Sequence, residues 1–127
     1  MKKTYIRILN PIYPFTINVF LNYTDISEIK KKIVVECETT HNKIHRKLDK
    51  IKLKDSDGYC FESGGWIFII IQDFKNNPIS FDTLHHEITH AVDFSAHYIG
   101  MKQHKRIREY SAYMHGFITN QIYKKIL

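Results

Sequence analysis

The chain has 127 residues, 43% of them hydrophobic and 25% charged, with a formal net charge of +6. That length is a single domain over residues 1–127, large enough to bury its own core without needing disulfides or metals merely to fold. No apolar run approaches the roughly 18 residues of a membrane-spanning helix, so no membrane partner is expected. Cys37 and Cys60 lie far apart and in no C-x-x-C pair, which excludes a disulfide scaffold and a cysteine zinc site and leaves buried thiols as the reading. The basic start Met1-Lys2-Lys3 lacks the apolar segment and cleavage site of a secretory leader, so the expected location is cytoplasmic. Positive charge is scattered over Lys30-Lys31-Lys32, Lys43 to Lys54, Lys102 to Arg108 and Lys124-Lys125. Scattering of that kind is only weak support for nucleic-acid binding, and it suits a solvated surface or an acidic protein substrate as well.

In chain order, Tyr5 to Leu9 reads as a strand, Asn10-Pro11 breaks it, and Phe15 to Leu21 alternates as a second, giving a hairpin-like start. Asp25-Ile26-Ser27-Glu28 has the form of a capping box before Ile26, Ile29, Ile33 and Cys37 at helical spacing. Ile44, Leu48 and Ile51 either continue that helix or form a short one of their own. Asp57-Gly58 opens a turn, Tyr59 to Glu62 is a strand, and Ser63-Gly64-Gly65 turns tightly into the apolar strand Trp66 to Ile71. That last strand is either buried on both faces or able to offer an edge to an extended peptide. A helix follows around Leu84, Ile88, Ala91, Val92 and Ser95, with Asp82 or Ser80 as its cap and Gly100 as its end. Ile107, Tyr110, Met114, Phe117 and Ile118 trace a final amphipathic helix to about Ile126. The fold class is therefore α+β, a three- to four-stranded sheet packed on these last two helices.

The chemistry is concentrated in His86-Glu87-Ile88-Thr89-His90. On a helix, residues i and i+4 share a face with Cβ atoms roughly 5–6 Å apart, so both imidazoles can turn toward one ion at about 2.0–2.1 Å. Glu87 lies about 100° further around, off the metal but near a water bound to it, where a general base belongs.

Catalytic zinc has three protein ligands and one open position, so the pair needs a third donor. Asp93 shares its face but is short, and suits orienting a ligand imidazole. His97 lies about 10 Å along the axis from His90, too far on a continuous helix. Glu109 lies on the next helix, which the turn at Gly100 allows to return alongside the first, and His104 and His115 are held in reserve. For a developing oxyanion, Tyr110, Tyr113, His97 and His115 are all open as donors.

The run His86-Glu87-Ile88-Thr89-His90-Ala91-Val92, with 18 residues between His90 and Glu109 and then Ala112, resembles the gluzincins, the thermolysin-like zinc metallopeptidases. The likeness covers residues 57–123 and extends to minigluzincins and small H-E-x-x-H proteins, often phage-encoded or bacterial. It implies a zincin-like domain, Zn²⁺ held by His86, His90 and Glu109, Glu87 as catalytic base, and a protein or peptide as substrate. The thermolysin-like pattern has an Asp four residues beyond its ligand Glu, where this chain has Tyr113.

Three functional readings follow. The first is a zinc peptidase. The second is a catalytically inactive zinc-containing module that binds nucleic acid or a protein partner. The third is a helical protein in which the histidine pair holds no metal. The first 25 residues read as sheet strands rather than an inhibitory segment.

Overall fold

Two apolar runs, Thr16–Leu21 (β2) and Trp66–Ile71 (β4), pair in parallel from Thr16↔Trp66 to Leu21↔Ile71. They form the centre of a four-stranded sheet in the computed structural model, which describes residues 2–37, 42–53 and 57–127, apart from the side chains of 34–37 and 42. Thr4–Leu9 (β1) joins β2 and Tyr59–Ser63 (β3) joins β4, both antiparallel, giving the order β1-β2-β4-β3. The protein is thus α+β with a mixed sheet. Because β4 is flanked on both sides, the expectation that it offers an edge to a peptide is overturned; its neighbour β3 is the edge.

A near-continuous apolar strand is what a central position requires, since both of its faces are covered. Ile17, Val19, Ile67 and Ile69 enter one core with Leu84, Ile88, Met114 and Ile118. Phe20, Phe68 and Ile70 enter a second with Ile29, Ile33, Ile44 and Leu48. The sheet is therefore sandwiched between two helical layers. One holds Ile26–Cys37 (α1) and Asn42–Asp49 (α2), and the other holds Pro78–Tyr98 (α3) and Ile107–Ile126 (α4).

Local chemistry sets the boundaries. Asp25 caps α1 by accepting from the Ser27 amide at 2.9 Å, but Glu28 turns to Lys3 rather than closing the capping box. Ile44 and Leu48 belong to a separate α2. Gly64 and Gly65 have φ of 56° and 88° between the paired residues Ser63 and Trp66, the two-residue turn that only φ > 0 residues make without strain. The start of α3 is earlier than either expected cap, because Asn77 accepts from the Ser80 amide at 2.8 Å and Pro78 opens the helix. Ser80 instead uses its hydroxyl to accept from the Lys75 amide at 2.9 Å. Gly100, at φ 75°, ends α3 as its position predicted. No helix among the described residues is long and apolar enough to cross a membrane. Cys60 is a half-buried free thiol, while the side chain of Cys37 and the whole of Lys54 lie outside the described residues.

Candidate metal centre

Leu84, Ile88, Ala91 and Val92 of α3 face the core, joined by the buried hydroxyl of Ser95. With that stripe fixed inward, His86 and His90 fall on the exposed side. Their Nε2 atoms are 3.1 Å apart, and the rings stand at 80° with centroids 4.7 Å apart. A tetrahedron with metal bonds of about 2.0–2.1 Å has an edge of about 3.3 Å. The two nitrogens therefore stand close to the separation that joint ligation of one ion demands. Without an ion, one ring must donate N–H to the lone pair of the other.

Glu87 takes a different direction and is only 6% exposed. It turns toward the start of β3, where a Cβ built on Gly58 would lie 2.9 Å from its Cγ and 3.1 Å from its Oε1. Burial raises the pKa of its carboxyl above the ordinary carboxylate value, and the nearby His86 and His90 partly offset this. The Cys60 thiol, beside it, is pushed well up, by burial first and by the Glu87 charge second. A carboxylate so placed is a better proton acceptor than one in bulk water.

The remaining candidates are placed less centrally. Glu109 is on the first turn of α4, with its side chain 78% exposed and its Oε2 3.7 Å from Arg106. Among the described residues, no group of three His, Cys, Asp or Glu side chains is gathered as a metal cage. The structure thus brings His86, Glu87 and His90 together and leaves Glu109 turned to solvent. Asp93 forms a two-pronged ion pair with Lys102, at 2.7 and 2.9 Å, rather than supporting an imidazole. His104 accepts from the Arg106 amide through Nδ1 at 3.1 Å, and His97 is exposed. Of the possible oxyanion donors, Tyr110 is buried and bonded to Ser95 at 2.7 Å, while the Tyr113 hydroxyl accepts from Asn10 at 3.4 Å.

Two features have no clear signal in the sequence. His85, directly before the motif, bonds Tyr123 through Nε2 at 2.8 Å and stacks on His115, with centroids 5.2 Å apart. Neither a motif nor a spacing identifies that triplet, because its members meet only through the packing of α4 on α3. The second is a cavity of about 660 Å³ at the start of α3, lined by Asp57, Ile71, Asp73, Ser80 and Thr83 among others. Thr83 is one helical turn before Glu87, and its Cγ2 also closes on Gly58. Thr83 thus belongs both to the cavity wall and to the surroundings of Gly58 and Glu87.

Comparison with family models, with curated proteins and with solved structures finds no match to this chain.

Proposed function

We propose that this protein is a zinc-dependent hydrolase of peptide bonds on a small zincin-like fold, with His86, His90 and Glu109 as the metal ligands and Glu87 as general base. The observation that carries the reading is the 3.1 Å approach of the two Nε2 atoms with a buried carboxylate of raised pKa on the adjoining residue. Bound zinc supplies Lewis acidity and lowers the pKa of water toward about 7. His86 and His90, on the exposed side of α3, would hold the ion, and Glu109 of α4 would supply the third donor. Its present ion pair with Arg106 is a solvent-exposed contact of little strength, so the carboxylate is free to exchange partners.

Glu87 accepts a proton from the attacking water at its carboxylate and returns it to the leaving amine. Its burial keeps bulk water from competing for that carboxylate. A peptide suits the site because β3, the sheet edge nearest Glu87, can pair with an extended chain through its backbone. The cavity beside Thr83 has room for a side chain of such a substrate.

Replacing Glu87 by Gln keeps the shape and removes the base. The expected result is loss of peptide hydrolysis by about 10²–10⁴-fold with zinc content unchanged. Undiminished cleavage by that variant would contradict the mechanism.

A further inference from the structure

Gly58 is a glycine for a reason that its backbone does not supply. Its φ lies outside the left-handed region, unlike those of Gly64, Gly65 and Gly100, so an alanine there meets no conformational penalty. What an alanine would meet is α3. An added Cβ would stand 2.9 Å from Glu87 Cγ, 3.1 Å from Glu87 Oε1 and 3.2 Å from Thr83 Cγ2. The first of these is closer than real Cβ atoms approach, and Cγ, near the root of the side chain, cannot yield without carrying the carboxylate with it.

The geometry points to Gly58 as the positioning residue of the Glu87 carboxylate: the missing side chain at the entrance of β3 is the slot in which that carboxylate lies. The inference rests on the reading of Glu87 as general base. The Glu87 side chain lies directly against the Gly58 backbone, with the Thr83 methyl group close by, so this packing limits where its carboxylate can sit. A general base must lie within hydrogen-bond reach of the proton it removes, so a small displacement of that carboxylate costs rate rather than substrate binding. Thr83 forms the other wall of the slot, and the lining of the neighbouring cavity includes it.

The test is Gly58→Ala, made in the wild type and in a Glu87→Ala background, with zinc content, kcat, KM and melting temperature measured for each. In the wild type, kcat falls by about a hundredfold with KM and zinc content unchanged. The melting temperature falls by about 3–8 °C in the wild type and by markedly less where Glu87 has been truncated, because the two closest contacts are gone and only the 3.2 Å approach to Thr83 remains. A kcat within about threefold of wild type, or an equal loss of melting temperature in both backgrounds, overturns the proposal. If zinc-loaded wild type cleaves no peptide, the hydrolase reading falls on its own account. The melting temperatures then still decide whether Gly58 and Glu87 are coupled.

Discussion

The hydroxyl of Tyr110 donates to Ser95 Oγ at 2.7 Å, and Ser95 in turn donates to the Val92 carbonyl at 2.7 Å, within the core between α3 and α4. This chain fixes the rotation of α4 about its own axis. With Tyr110 turned inward, Glu109 is carried about 100° around the helix and out to the surface. The same packing that orders the helix pair therefore decides where Glu109, the proposed third donor, starts from.

The two partners of that bond are unequal. Tyr110→Phe leaves the Ser95 hydroxyl still donating to Val92 and costs about 1 kcal/mol. Ser95→Ala strands the buried Tyr110 hydroxyl and costs about 1–3 kcal/mol. Urea unfolding of both variants checks the order, and a Tyr110→Phe loss larger than that of Ser95→Ala would contradict the direction assigned to the bond.

His115 gives the helix pair a pH dependence. Burial first, and His85 second, hold its imidazole below the ordinary value of 6.5, against a hydrogen bond to the His85 backbone. The unfolded chain therefore takes up this proton at higher pH than the folded one. The stability that the neutral imidazole contributes is present above the unfolded value and is lost as pH falls through it toward the lower folded one. In metal-free protein, the melting temperature of wild type relative to His115→Gln is expected to decline from about pH 7.5 to about pH 5.5. A difference that stays constant over that interval would show that His115 does not contribute in this way.

Much of the architecture was legible because periodicity reports burial directly. Ile26, Ile29 and Ile33 gave α1, the Ser63-Gly64-Gly65 turn gave the β3–β4 hairpin, and Gly100 gave the end of α3. The order of strands was not legible, since the apolar run Trp66 to Ile71 is compatible with a central or an edge position and only its pairing with β2 decides between them. The start of α3 was placed too late because Ser80 and Asp82 are good caps by type, whereas Asn77 before Pro78 is the residue that bonds the free amide.

Within the site, His86, Glu87 and His90 are neighbours on one helix, so their spacing alone predicted their meeting. Contacts made across elements left no such trace. Gly58 against Glu87, His85 against His115 and Tyr123, and Asp93 against Lys102 each depend on how separate segments are laid together. Asp57-Gly58 looked like ordinary turn chemistry, and only the nearness of α3 shows why that position has no side chain.

Whether His86 and His90 hold a metal ion is decided by zinc stoichiometry, measured by native mass spectrometry. The expected result is one zinc per wild-type chain, none for a His86→Ala/His90→Ala double variant, and an affinity at least about tenfold weaker for Glu109→Ala. Because both histidines lie on the exposed side of α3, the metal-free double variant should unfold within about 0.5 kcal/mol of metal-free wild type per site, so that loss of zinc is not loss of fold. Wild type that takes up no zinc at neutral pH, or a double variant that retains it, would show that the histidine pair is not a metal site.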